Sequence, residues 1–90
     1  MPKVACIEIP GLELWFNSLD HGPPHFHVRK AGQWEIRIYF RSCTESRLDF
    51  DEKFRLGKRG PSGKDRALVL REVLNHRDEL FREWEQKVSQ

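Results

Sequence analysis

The sequence predicts an α+β fold, in which a small antiparallel sheet of three to five strands is packed by one or two C-terminal helices. Apolar and polar residues alternate through 4–16 and 25–40, a pattern typical of half-buried strands. After residue 62 the apolar residues recur every three or four positions, which is typical of an amphipathic helix. The length of 90 residues suits a single domain, 1–90. We divide it into a β-rich part (1–56), a basic loop (57–61) and a helical part (62–88).

The overall composition indicates a globular protein. An apolar fraction of 38% is sufficient for a core, and 16 basic residues nearly balance 14 acidic ones, so the charge indicates neither disorder nor nucleic-acid binding. No apolar run approaches the roughly 18 residues that a membrane-spanning helix needs. Cys6 and Cys43 are too few for the disulfide framework of a secreted protein. We therefore predict a cytoplasmic protein with free thiols and no membrane partner.

The first predicted element is a hairpin of residues 4–9 and 12–16, which the turn dipeptide Pro10-Gly11 joins. Pairing across this turn puts every apolar pair on one face, and a slip of one residue would put half of them in water. The expected pairs are Ile9–Leu12, Ile7–Leu14 and Ala5–Phe16.

A second hairpin is predicted from residues 25–30 and 33–40. Both apolar sets share a face only if Val28 pairs with Ile36, which leaves Ala31-Gly32-Gln33 as the loop. The same parity places polar side chains together on the opposite face, with His27 opposite Arg37 and His25 opposite Tyr39. The expected members of this polar face are His25, His27, Arg29, Glu35, Arg37 and Tyr39.

The C-terminal part is predicted to be helical from Ser62, whose hydroxyl can cap the first turn, with Asp65 three residues on. We expect a break near residues 75–77 and a last helix that Asp78 caps. Between the second hairpin and the helix, a fourth β segment is expected around Arg47–Phe50. The predicted buried positions of the helical part are Ala67, Leu70, Val73, Leu74, Leu80, Phe81, Trp84 and Val88.

The basic loop stands out by its charge, because six basic residues and one acidic residue fall within 53–66. Such a loop can bind phosphates or an acidic protein surface, and it can equally be a solvated connection. It is not a P-loop, since the spacing from Gly57 to Lys64 is one residue too long. The residues predicted to bind here are Lys58, Arg59 and Lys64.

Three of the four histidines fall in the segment 20–28, Asp20-His21-Gly22-Pro23-Pro24-His25-Phe26-His27-Val28. His25 and His27 are two positions apart on a strand, so their rings can project side by side. With His21, and with Asp20 nearby, they would supply enough ligands for a metal ion, and rings that converge on one point would indicate such a site. This spacing matches no strong metal motif, so the sequence favours neither a metal nor any other cofactor.

Two other interpretations of the segment remain open. His25 or His27 can act as a proton-transfer group beside Arg37 and Tyr39, which is the set that cleavage of RNA without a metal requires. Alternatively, Asp20 caps a structural turn and the histidines bond backbone groups or contact a partner.

The motif D-H-x-P-P-H-F-H-V at residues 20–28 resembles the hallmark of a small bacterial family, the domain of unknown function numbered 4160. The preceding and following β segments and the C-terminal segment 67–84 are similar as well. Genes of this family often lie beside a gene for a second small protein, as in toxin–antitoxin pairs. The resemblance therefore implies a partner protein and, through it, a toxin-like role, but it transfers no catalytic residue.

We therefore expect a toxin-like component of a two-gene, toxin–antitoxin-type module, which acts by binding a small cognate protein. Asp20, His21 and the basic loop are the predicted binding residues. One alternative is a metal-independent endoribonuclease that uses His25, His27, Arg37 and Tyr39, with RNA as its partner. The other is a metal-binding protein through His21, His25 and His27. A DNA-binding regulator is disfavoured, because the basic residues do not follow a recognition helix.

Overall fold

The computed structural model describes residues 2–55 and 60–88, and within them it has the predicted α+β fold. A four-stranded antiparallel sheet in the order β1-β2-β3-β4 is covered on one face by a long helix, α1. The elements are β1 (Glu13–Trp15), β2 (Phe26–Lys30), β3 (Trp34–Ile38), β4 (Phe50–Arg55) and α1 (Gly63–Lys87).

The central hairpin has the predicted register. Val28 pairs with Ile36 and His27 with Arg37, and residues 31–33 form the connecting loop. Gly32 adopts the left-handed conformation, with φ at 75°, as a three-residue loop of this kind requires. The side-chain period of two was therefore sufficient to predict both the pairing and the loop.

The hydrophobic core lies between the apolar face of the sheet and α1. Leu14, Val28 and Ile36 are neighbours across β1, β2 and β3, and all are buried. The helix contributes Val69, Val73, Leu80 and Trp84 to the same core. Aromatic rings connect the two layers, since Trp84 packs edge-on against Phe16 and Phe81 packs edge-on against Phe40.

The first predicted hairpin is only partly present. The turn at Pro10-Gly11 forms as expected, because the Leu12 N–H donates to the Ile9 carbonyl over 3.1 Å and Gly11 has a φ of 84°. The predicted strand 4–9 is wrong, because these residues belong to no strand of the sheet.

The N-terminal segment departs from the predicted pairing because it bends towards the helix. Lys3 lies opposite Trp15, whereas the predicted register would place Cys6 there. At the bend, the N–H groups of Ala5 and Cys6 donate to the carboxylate of Glu83 on α1, over 2.7 and 2.9 Å. These donors are satisfied by a side chain rather than by a partner strand. The predicted pairs Ile7–Leu14 and Ala5–Phe16 are therefore wrong, and Leu14 pairs with Val28.

The fourth strand exists but begins later than predicted. Thr44 and Arg47 close a tight turn through two backbone hydrogen bonds, so the predicted Arg47–Phe50 strand is wrong except at Phe50. A bulge between Glu35 and Ile36 in the β3–β4 pairing shifts the register. The shift places one extra residue in β4 opposite the step from Glu35 to Ile36.

The helix begins as predicted, and a kink interrupts it at the predicted break. The Ser62 hydroxyl accepts a hydrogen bond from the Asp65 N–H over 3.1 Å. At His76 the backbone leaves helical geometry, with φ at −124°, but the helix resumes and runs to Lys87. The predicted break near residues 75–77 is therefore confirmed as a kink that divides α1 into two helical stretches, but Asp78 has helical backbone geometry and is not a cap.

The buried stripe of α1 differs from the predicted one at several positions. Ala67 is exposed, and Leu70 and Leu74 are only half-buried, while Val69 and Glu83 are buried instead. The predicted binding residues Lys58 and Arg59 lie outside the described residues, and Lys64 is exposed on the first turn of α1. In the described part of the chain, no helix combines the length and apolarity needed to cross a bilayer.

Candidate metal centre at the start of strand β2

Three potential metal ligands converge where the loop after β1 meets the start of β2. The Asp20 Oδ2 atom lies 2.7 Å from Nε2 of His27 and 2.9 Å from Nε2 of His25. One ligand atom from each residue lies within 4.8 Å of the other two. His27 lies in β2 and His25 directly precedes it, and the loop after β1 folds back to bring the carboxylate close to both rings.

Both imidazoles are buried, which the sequence did not predict. His25 and His27 are each 4% exposed, although they lie on the polar side of the sheet. The indole of Trp15 stacks on His27 with 5.3 Å between ring centroids, and Trp84 of α1 covers His25 at 5.4 Å. Both imidazoles are therefore enclosed by aromatic side chains, His27 by Trp15 of the neighbouring strand and His25 by Trp84 of α1.

The protons on His25 can be assigned from its neighbours. Its Nδ1 lies 2.8 Å from the Pro23 carbonyl oxygen, which can only accept, so Nδ1 carries a proton. In the neutral ring, Nε2 then holds a lone pair 2.9 Å from the Asp20 oxygen, without hydrogen-bonding geometry. Two electron-rich atoms this close repel unless a proton or a cation lies between them.

His27 is held differently, because its Nε2 lies at hydrogen-bonding distance from Asp20. Its Nδ1 is buried and has no hydrogen-bond partner among the described residues. Burial alone would raise the pKa of the Asp20 carboxyl, but the hydrogen bond from His27 and the nearby imidazoles outweigh it, so the pKa is lowered. Asp20 is therefore held as a carboxylate, the form that binds metal ions.

The donor set fits a metal ion after a small adjustment. Ligand bonds of about 2.0–2.2 Å in a tetrahedral site place the ligand atoms about 3.3–3.5 Å apart. The Asp20 oxygen would have to withdraw by about 0.4–0.6 Å from the His25 nitrogen and by about 0.6–0.8 Å from the His27 nitrogen. Such a movement is available to Asp20, because its side chain is 17% exposed and belongs to a loop.

Next to the triad of Asp20, His25 and His27, a row of polar side chains is joined by hydrogen bonds. Arg37 donates to the Tyr39 hydroxyl over 3.3 Å, and that hydroxyl donates to Oδ2 of Asp51 over 2.8 Å. The hydrogen bond to Tyr39 raises the pKa of Arg37 despite partial burial, and the charges of Asp20 and Asp51 add to the effect. The guanidinium is therefore a fixed positive charge beside the two imidazoles.

One known protein family matches most of the chain. A family model described as a domain of unknown function (DUF4160) matches residues 11–85. The chain belongs to the DUF4160 family. No curated protein and no solved structure matches it.

The predicted site residues of this DUF4160 chain divide into two groups. Asp20, His25 and His27 meet, and Arg37 and Tyr39 border them. His21 does not join the triad, so the predicted ligand set His21, His25 and His27 needs Asp20 in place of its first member. His21 is exposed and lines a groove of about 600 Å³ together with Asp20, Trp84 and Val88. A groove of about 670 Å³ over the kink of α1 shares no residue with the triad.

Sequence reasoning missed the residues that enclose the site. Trp15 and Trp84 cover the two rings, and the Pro23 carbonyl orients His25. Trp15 would have been found if β1 had been paired with β2, because Trp15 then lies opposite His27. No sequence signal places Trp84 over His25, since the two residues are 59 positions apart and meet only through helix packing.

The two cysteines take no part in this site. Both are free, as predicted, and Cys43 is buried in the core. Burial, together with the hydrogen bond and negative charge of Glu83, raises the pKa of Cys6 to about 12. Burial also raises the pKa of Cys43. Both thiols are therefore kept protonated and unsuited to act as thiolate ligands or nucleophiles.

Proposed function

We propose that this protein binds a divalent transition-metal ion through Asp20, His25 and His27. The observation that supports the proposal is the meeting of both Nε2 atoms at one Asp20 oxygen, with His25 anchored through its other nitrogen. A backbone carbonyl on the second nitrogen is the usual support of a metal-binding histidine. The sequence alone favoured no cofactor, and the proposal revises that expectation.

The ligand types indicate the class of ion. Two imidazole nitrogens and one carboxylate oxygen are typical of zinc and of non-haem iron(II) sites. Three protein ligands leave at least one coordination position for water or substrate, which is typical of catalytic rather than purely structural sites. The burial of the rings excludes competing water from the nitrogen ligands and strengthens the electrostatic attraction to the ion.

The test is a metal titration of the full chain, purified without an affinity tag and freed of metal by a chelator. We expect one equivalent of Zn²⁺ or Co²⁺ to bind. Asp20→Asn and His27→Gln should each weaken binding by at least about 100-fold, because each removes one of three ligands. His21→Gln and His76→Gln are matched controls that remove histidines outside the triad and should leave the affinity unchanged.

An unchanged affinity in the Asp20 and His27 variants would show that the ion binds elsewhere. Failure of the folded protein to bind either ion would reject the proposal outright. Circular dichroism of each variant separates loss of the site from loss of the fold.

We also propose, from the family resemblance, that the protein acts as a toxin-like member of a two-gene module and binds a small cognate protein. Leu19 is 82% exposed and lines one groove with Trp84 and Val88, and this shared apolar lining supports a partner surface. Expression of the chain alone and then with its neighbouring gene product tests the role. Growth inhibition that the second protein relieves would support it, whereas harmless expression in both cases would contradict it.

Cleavage of RNA without a metal has weaker support. That mechanism needs an imidazole in contact with the phosphodiester, but Trp15 and Trp84 cover His27 and His25. Arg37 and Tyr39 are half-buried and thus more accessible. RNA integrity during expression of wild type and His25→Gln tests this candidate, which predicts degradation by wild type alone.

A further inference from the structure

The outer side of the triad carries polar groups that the proposed metal site does not use. Arg37 lies directly opposite His27 in the β2–β3 pairing. The Tyr39 ring centroid lies 5.7 Å from that of His25, and the Tyr39 hydroxyl accepts from Arg37. A guanidinium and a phenol therefore border both imidazoles.

Arg37 retains hydrogen-bonding capacity that protein groups do not use. Its Nε is buried and has no hydrogen-bond partner among the described residues. The nearest acidic residue across the strands, Asp51, accepts its hydrogen bond from Tyr39. The Asp51 carboxylate is thus joined to the guanidinium through the phenol, which leaves donors of Arg37 for a ligand.

With a divalent ion bound, the net charge of the site would favour an anionic ligand. A divalent ion and Arg37 would face two carboxylates, those of Asp20 and Asp51, while the histidines that bind a metal are neutral. One positive charge then remains in a partly buried site, where an uncompensated charge is costly. A ligand with one negative charge would neutralise it.

We propose that the metal site takes a monoanionic oxyanion as its external ligand, with one oxygen on the metal ion and a second oxygen bound by the guanidinium of Arg37. This inference rests on the proposed metal function. Phosphodiesters and carboxylates share this chemistry, and the planar donors of arginine fit both.

The test uses protein loaded with Co²⁺, whose visible absorption reports a change of metal ligands. Dimethyl phosphate and acetate are the anionic probes, and trimethyl phosphate is the neutral match. We expect a saturable spectral change with at least one anion and none with trimethyl phosphate. Arg37→Met should weaken anion binding by at least about 10-fold, because a charge-assisted hydrogen bond is lost.

Controls separate this inference from the metal proposal. Arg37→Met should leave the Co²⁺ affinity within about twofold, and Arg37→Lys should restore part of the anion affinity. Arg29→Met is the matched control, because Arg29 lies on the same face but is paired with Glu13 at 2.6 Å. It should bind the anion as wild type does.

The relative affinities of dimethyl phosphate and acetate identify which class of oxyanion the site prefers. Equal anion binding by wild type and Arg37→Met, or an equal response to trimethyl phosphate, would overturn the inference while the metal proposal stands. A protein that binds no Co²⁺ would overturn the metal proposal and the inference with it.

Discussion

Glu83 is the clearest case of a single residue whose role depends on distant partners. Its carboxylate is buried, accepts hydrogen bonds from the N–H groups of Ala5 and Cys6, and contacts Lys87 at 2.6 Å. Burial by itself would raise the pKa of Glu83, but hydrogen bonds from the Cys6 thiol, from Lys87 and from the two N–H groups outweigh it, so the pKa is lowered. In sequence, the residue is one more acid on a charged helix, and nothing there distinguishes it from Glu85.

Replacing Glu83 tests this contact at the scale of one residue. Glu83→Gln keeps the shape but leaves only one acceptor oxygen for two N–H donors, so we expect a loss of about 1–2 kcal/mol in the free energy of unfolding. Chemical denaturation measures this loss. Exposed Glu85→Gln is the matched control and should change stability by less than about 0.5 kcal/mol. Equal denaturation midpoints for the two variants would contradict the assignment.

Glu83 should also make the free energy of unfolding depend on pH, in the direction that its lowered pKa dictates. Because the folded state lowers the pKa of Glu83, its contribution is fully present above the ordinary value of 4.5 and is lost as the pH falls through the folded-state pKa. The difference in stability between wild type and Glu83→Gln should therefore shrink below about pH 4.5. A difference that stays constant from pH 7 to pH 3 would show that the carboxylate charge does not contribute.

Among the elements, the β2–β3 hairpin was the most predictable and α1 only partly so. The hairpin register follows from two alternating apolar sets and one glycine loop, all within 16 residues. In α1, the capping residue, the break near residues 75–77 and much of the buried stripe were correct, but Ala67 is exposed and Leu74 is only half-buried. Both misplaced positions precede the kink at His76, so they reflect how the helix is rotated against the sheet, which helical periodicity alone does not specify.

Substitution of two glycines tests whether the left-handed backbone of the β2–β3 loop requires a glycine. Gly32 has a φ of 75°, so Gly32→Ala forces a left-handed alanine and should cost about 1–2 kcal/mol. Gly63 begins α1, lies outside the left-handed region and has open space at its Cβ position. Gly63→Ala should therefore be neutral or stabilising by up to about 1 kcal/mol. Thermal unfolding of both variants measures the contrast, and equal effects would contradict it.

At the scale of the whole molecule, binding of the proposed metal ion should raise the free energy of unfolding. An ion that binds only the folded chain adds about 2.7 kcal/mol at a free concentration 100 times its Kd. For a chain of this size, that corresponds to a rise in Tm of about 10 °C or more. We expect Zn²⁺ to produce this rise in wild type and His76→Gln, but not in His27→Gln. An equal rise in all three would place the ion outside the triad.

The assembled molecule also explains why the N-terminal segment is not a strand. Glu83 and Lys87, near the end of α1, bind backbone groups of residues 3–6, so the first and last parts of the chain are held together. A sheet pairing for residues 4–9 would satisfy the same backbone groups through another strand. The choice between the two partners depends on where the helix ends, which local sequence does not encode.

The sequence by itself determined the fold class, the family, the turn at Pro10-Gly11, the central hairpin and the start of the helix. Each of these depends on local signals, namely side-chain period, turn residues, capping residues and a contiguous motif. The tertiary structure alone decided that His25 and His27 are buried, that Asp20 rather than His21 joins them, and that the N-terminal segment binds α1. Side-chain period shows which face a residue occupies, but what covers that face is set by the packing of segments far apart in the chain.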